Sequence, residues 1–243
     1  MFKFVKATLK DILNYLWEKI LLGKEASILM YHSVGDNREF FNVRPRDFAW
    51  QMEYLHRGKY KVVSLSELAN YEKIPKNTVA ITFDDGYEDN YLEAYPVLKK
   101  YNFPATIFLT TAWLEDKSYT NKRGIKMPML DWNQIKEMHD SGLIDFEPHT
   151  ETHPRLTKIS DKIKESEILN SKHKIEQKLN KISHVFAYPF GDFNQDVIKI
   201  AKNFFKVGLT VESGFISKSD QKLRLKRQSI DSLVNNFRFR LKV

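Results

Sequence analysis

The sequence predicts an α/β barrel built on a parallel sheet. Three observations carry the expectation: short apolar runs rich in β-branched and aromatic residues alternate with longer helical patterns, seven or eight such units fit in 243 residues, and the chemistry-bearing residues recur just past the ends of the runs. The expected strands are 26–31 (ASILMY), 61–64, 78–83 (TVAITF), 104–109 (PATIFL), 143–147 (LIDFE), 185–188 (VFAY), 206–210 and about 225–229. Between them helical spacing covers 46–57, 66–72, 88–101, 132–141, 160–180 and 194–204. Ser160 and Asp161 offer N-cap chemistry to the long helix, and Gly58 and Gly142 stand where helices stop. The stretch 115–130 has no clear period; following a strand, it is expected on the C-terminal rim of the barrel.

Composition supports a folded chain and removes several chemistries. At 42% hydrophobic and 13% aromatic residues, a sizeable core can be buried. With no cysteine, disulfides, thiolate metal sites and cysteine nucleophiles are excluded. No run of 18 or more uncharged apolar residues is present to form a spanning helix. The formal net charge of +8 is concentrated late: from Lys199 onward eleven Lys and Arg face Glu212, Asp220 and Asp231, so the first 198 residues sum to zero. Such a distribution suits an anionic surface or substrate, and equally an ordinary lysine-rich exterior.

Residues 1–24 are expected to form an amphipathic helix ahead of a single domain over 25–243. Phe2, Val5, Leu9, Ile12, Leu13, Leu16 and Ile20 repeat at helical spacing, while Asn14, Glu18 and Lys19 interrupt the apolar centre that an export signal needs. The helix either docks on the fold or lies in a membrane interface. The expected location is the cytoplasm, with peripheral contact to the inner face of an anionic membrane as a further option and export left open.

Four segments carry chemistry. ITFDDGY (81–87) ends an apolar strand in two adjacent carboxylates, Asp84 and Asp85, which repel unless a cation or shared proton relieves them; Asp-Asp-Gly is also common turn chemistry. HTETHP (149–154) sets His149 and His153 four apart, able to converge on one metal ion if the segment turns. AYPFGDF (187–193) meets Pro189 and Gly191 after a strand, and MYHSVGD (30–36) places His32 at a strand end. Each has an ordinary structural explanation alone. In a parallel barrel, however, all four lie on one rim, where catalytic groups collect.

Together these motifs resemble the polysaccharide deacetylase family, the NodB-homology carbohydrate esterases of family four. TFDDG at 82–86 and H-T-x-x-H-P at 149–154 match its first two motifs, and LMYHSVGD, RPRDFAWQMEYL (44–55) and PATIFL are similar to the circularly permuted branch that deacetylates poly-β-1,6-N-acetylglucosamine. The resemblance implies a distorted (β/α) barrel of about seven parallel strands. It implies that Asp85, His149 and His153 hold a divalent metal, usually Zn²⁺, that Asp84 is the catalytic base, that the backbone N–H of Phe190 meets the oxyanion, and that His32 supplies the general acid. Tyr188 and Pro189, beside Phe190, are expected at the substrate, and Trp132 is expected to wall the sugar pocket or to anchor the core. Two departures stand out. Ala187 occupies the position of an arginine that orients the base in many members, and LKRQSI (225–230) lacks the family's late histidine.

The expected activity is metal-dependent removal of N-acetyl groups from amino sugars of a glycan or glycolipid. A second reading keeps the site and changes the bond: deacetylation or deformylation of a lipid-linked or nucleotide-linked sugar intermediate in surface-polysaccharide biosynthesis, whose phosphate would meet Lys117, Lys122, Arg123 and Lys126. A third is a barrel that binds glycan or membrane without turnover, against which the complete acid, base and ligand set argues. No recognition motif for nucleic acid accompanies the basic tail.

Overall fold

The strands are apolar on both sides because the fold covers both sides. The computed structural model describes residues 26–72, 74–116, 118–120, 124–217 and 219–243, so the expected N-terminal helix lies outside the described residues. Parallel strands are β1 (Ala26–Tyr31), β2 (Lys61–Val63), β3 (Thr78–Phe83), β4 (Ala105–Leu109), β5 (Ile144–Pro148), β6 (Val185–Ala187), β7 (Val207–Ser213) and β8 (Leu225–Ser229). Seven form a nearly closed barrel in the order β6-β7-β8-β1-β3-β4-β5, and short β2 pairs with the first half of β3. Around it lie α1 (Pro45–Arg57), α2 (Leu65–Asn70), α3 (Tyr95–Tyr101), α4 (Thr111–Glu115), α5 (Trp132–Asp140), α6 (Asp161–Leu179), α7 (Gln195–Ala201) and α8 (Asn236–Lys242). None of the described helices is long and apolar enough to cross a membrane.

Strand alternation sorts the core into layers. Ile28, Ala80, Phe108, Ala187 and Leu209 fill the barrel, where Leu65 and Leu68 of α2 join them. Their neighbours Leu29, Tyr31, Ile81, Phe83 and Ile107 face outward onto helix residues such as Phe48 and Met52 of α1. The period of two is that of a strand, and burial of both sets is what helices laid over a parallel sheet produce.

Register sets the rim. Tyr31 pairs with Phe83, Phe83 with Ile107, Ile107 with Phe146, and Leu109 with Pro148, so the residues that follow, His32, Asp84, Thr110 and His149, emerge side by side. No ladder joins β5 to β6 among the described residues. Side chains span that seam instead: Glu147 Oε2 accepts the Val185 N–H at 3.2 Å, Glu147 Oε1 takes Lys181 Nζ at 3.0 Å, and His149 Nδ1 lies 2.7 Å from the Ala187 carbonyl.

Several local expectations change. The helix expected over 88–101 opens as a π-helical turn, Asn90–Ala94, before continuing as α3. Ser160 has the extended backbone of an N-cap but its hydroxyl makes no capping bond; α6 begins without one. The aperiodic 115–130 stretch contains an antiparallel pair, Ser118–Thr120 with Lys126–Pro128, that buries Met127. It is anchored at the rim: the Glu88 N–H donates to the Pro128 carbonyl at 2.9 Å and the Leu130 N–H to the Gly86 carbonyl at 3.0 Å.

Candidate metal centre

Two neighbouring carboxylates at one strand end need two different destinations, and the Asp84–Gly86 turn supplies them. Asp85 (φ 77°) and Gly86 (φ 88°) are both left-handed, so the chain reverses immediately after β3. A Cβ on Gly86 would stand 2.8 Å from a Leu109 methyl, which reserves the position for glycine. Asp84 meets the Arg227 guanidinium in a two-pronged pair, Nη1–Oδ1 and Nη2–Oδ2 both at 2.7 Å. Asp85 instead faces the two imidazoles of the next motif.

Arg227 is itself 0% exposed, and its Nε donates to the Thr210 carbonyl at 2.8 Å. Burial on its own would raise the Asp84 carboxyl; the charge and hydrogen bonds of Arg227 more than offset that and hold Asp84 well below the usual carboxylate range. The group is therefore ionised at every ordinary pH.

The second cluster has the dimensions of a cation site. His153 Nε2 lies 3.2 Å from His149 Nε2 and 3.4 Å from Asp85 Oδ1, and His149 Nε2 lies 3.7 Å from the same oxygen. Ligands held at about 2.0–2.1 Å in a tetrahedron stand about 3.3 Å apart, which is the size of this triangle. Asp85 Oδ1 is buried without a hydrogen-bond partner, an arrangement that a cation would satisfy. Because His149 Nδ1 bonds the Ala187 carbonyl, the proton belongs on Nδ1 and the lone pair on Nε2. Burial pushes both imidazoles down, to about 4, so both are neutral at physiological pH and fit to ligate. Burial also raises Asp85, against a hydrogen bond from Tyr87. Ala187, small and inward, thus has a use of its own: its carbonyl orients the His149 ring.

Strained backbone is concentrated here. Asp85, Thr150 (φ 69°), His153 (φ 61°) and Phe190 (φ 59°) all occupy the left-handed region without being glycine. Such conformations cost on the order of 1–3 kcal/mol each and persist only where the surroundings over-determine them.

Of the remaining expected residues, His32 follows β1 directly, its ring 5.5 Å from Phe41, which stacks on Tyr87 at 5.6 Å. Phe190 is 51% exposed, with its ring 4.4 Å from that of His153 and the Arg155 guanidinium 4.5 Å from its centroid. Tyr188 and Pro189 are both buried. Tyr188 packs on Phe186 and Phe193, at 5.2 and 5.5 Å, and its hydroxyl donates to the Leu223 carbonyl at 3.0 Å. Trp132 starts α5, packed against the core with Lys178 Nζ 5.7 Å from its ring. A different tryptophan borders the site: Trp113 lies 5.1 Å from the His153 ring and stacks on Tyr119 at 3.9 Å.

Sequence reasoning missed Arg227, the guanidinium thought absent with Ala187. It stands in LKRQS, the segment searched for a histidine, and was counted with the basic tail; Arg224 of that tail is likewise paired, with Glu212 at 2.7 Å. A signal existed, since position 227 shares the inward parity of Leu225. Of the loop cations, Lys117, Lys122 and Arg123 lie outside the described residues, and Lys126 is exposed.

The sequence pattern of the polysaccharide deacetylase family matches residues 71–207, which contain Asp84, Asp85, His149, His153 and Phe190. The chain belongs to the polysaccharide deacetylase family. YxkH of Bacillus subtilis, named for the same family, is 32% identical over 230 residues, covering 93% of this chain and 78% of its own. The poly-β-1,6-N-acetyl-D-glucosamine N-deacetylase of Staphylococcus epidermidis is 32% identical over 199 residues, 77% of this chain and 67% of that protein. Among solved structures, the Streptococcus pyogenes deacetylase PplD in complex with acetate superposes with a TM-score of 0.79 at 30% identity, covering 89% of this chain and 97% of that one. Arg227 and His32 both fall outside the matched stretch, so structure rather than pattern brings them to the site.

Proposed function

We propose that this polysaccharide deacetylase is a metal-dependent hydrolase that removes N-acetyl groups from amino sugars of a glycan or glycolipid. The observation that carries the reading is the Asp85–His149–His153 triangle beside a carboxylate held ionised by Arg227. Asp85 Oδ1, His149 Nε2 and His153 Nε2 would hold a divalent cation, Zn²⁺ foremost, whose Lewis acidity would act on the amide carbonyl and on water. Asp84 takes the proton of the attacking water while Arg227 keeps the carboxylate ionised and aimed. The Phe190 N–H donates to the oxygen of the former carbonyl as it gains charge. His32 gives a proton to the departing nitrogen as the carbon–nitrogen bond breaks, leaving acetate and a free amine. Trp113, Tyr119 and Phe190 form the aromatic border beside His153 against which a sugar ring can lie.

The name of the Staphylococcus epidermidis relative directs the first substrate to test, β-1,6-linked N-acetylglucosamine oligomers. Acetate release is expected with zinc supplied, and its loss in Asp84→Asn and after chelation. If no acetate appears from any N-acetylated glycan or glycolipid with metal present, the proposal is wrong.

A further inference from the structure

The His149-to-His153 spacing works only if the turn between the two imidazoles holds an unfavourable shape. Thr150 and His153 are both left-handed, at φ 69° and 61°, and neither is a glycine or an asparagine. Within the turn, the His153 N–H donates to Thr150 Oγ1 at 3.1 Å. The N–H groups of Glu151 and Thr152, the two positions that the motif leaves free, point away from the cation site toward α6.

There they meet one carboxylate. Glu167 Oε2 accepts the Glu151 N–H at 3.1 Å and the Thr152 N–H at 2.8 Å, and Glu167 Oε1 accepts the Thr152 hydroxyl at 2.6 Å. The Glu167 carbonyl also lies 3.1 Å from the Glu151 N–H, and Asn170 Nδ2 donates to Glu151 Oε2 at 2.7 Å. Glu167 is 9% exposed, and no described Lys, Arg or His forms an ion pair with it. Its charge is met by the turn: successive backbone N–H groups closing on one anion make a nest, whose anion here is built into the chain.

We propose that Glu167 is a positioning residue for the metal centre, clamping the 150–153 turn from outside so that His153 Nε2 reaches Asp85 and His149. The inference rests on the metal-site reading above and adds to it a residue that touches neither cation nor substrate. Groups that orient ligands from behind typically change metal affinity about 10–100-fold when removed.

The test titrates metal-free full chain with zinc against a chromogenic chelator, for wild type, Glu167→Ala, Glu167→Gln and His153→Ala. Glu167→Ala is expected to weaken zinc binding about 10–100-fold while acetate release recovers at saturating zinc. Glu167→Gln, which keeps one acceptor oxygen for the turn, should fall between it and wild type, and it carries the test should the alanine variant fail to fold. A merely structural glutamate would lower the melting temperature and leave the zinc Kd unmoved, which would overturn the inference while His153→Ala still abolished binding. Wild type that binds no zinc at all would instead overturn the metal-site reading itself.

Discussion

Replacing Arg227 with methionine should cost more stability than any other single change at the site. The substitution keeps length and apolar stem but deletes the guanidinium, leaving a carboxylate that is 2% exposed without its two 2.7 Å bonds. Removing one partner of a buried ion pair typically costs about 3–5 kcal/mol, because the remaining charge is stranded away from water. For a chain of this size roughly 2–4 °C of melting temperature is lost per kcal/mol, so Arg227→Met should melt roughly 6–20 °C below wild type. The contact from Nε to the Thr210 carbonyl is lost too, and a double-mutant cycle separates it: with Asp84→Asn in the background Arg227→Met strands no carboxylate and removes a guanidinium already left without its partner, so the second substitution should cost several kcal/mol less. Both variants are read by thermal and urea unfolding. A cost below about 1 kcal/mol, or the same cost with and without the Asp84 charge, would refute the argument that Arg227 is there to hold that charge.

Two further outcomes follow from the same geometry. Burial pushes the Asp89 carboxyl up to about 6 from an ordinary 3.8, so between those values the folded chain holds a proton that the unfolded chain has released. Stability therefore falls as pH rises through that window, by up to about 3 kcal/mol, and the wild-type-minus-Asp89→Asn difference in urea midpoint should show that decline; a flat difference contradicts it. Gly86→Ala forces a side chain onto φ 88° with its Cβ 2.8 Å from Leu109, and should cost about 1–3 kcal/mol in denaturant unfolding together with weakened zinc binding. Wild-type stability in that variant would show that the turn has room to spare.

What could be read from the sequence was whatever the chain writes locally. The eight strands were legible because apolar runs of strand length are bounded by breakers, and the four motifs because each directly follows a strand. The Asp84–Arg227 pair was not, because it joins residues 143 apart across a barrel whose closure no local pattern records. An arginine among lysines near a terminus reads as surface until strand parity is applied. Parity also explains Tyr188: Ala187 points into the barrel, so 186 and 188 point out, and a residue next to the site along the chain turns its back on it. The π-turn at Asn90–Ala94 was invisible for another reason, since apolar spacing reports which face is buried and not which carbonyl each N–H reaches. Its consequence is local and concrete: Asn90 Nδ2 reaches the His32 carbonyl at 2.8 Å and ties the His32 segment to the chain just past the two carboxylates.

The two adjacent aspartates show why the site has this form. Side chains one residue apart leave an extended strand on opposite sides, so at the end of β3 one carboxylate is directed to the barrel interior and the next over the rim. The interior one meets a permanent cation, because a guanidinium does not lose its proton within a protein, and Asp84 is consequently ionised. The rim carboxylate meets imidazoles that burial keeps neutral, and its Oδ1 is left without a donor. The repulsion that makes Asp-Asp costly in an ordinary turn is thus removed by giving the pair unlike partners. A carboxylate that is always charged and one left open to a cation then stand on consecutive residues, and the strained Asp85–Gly86 turn is what that separation requires.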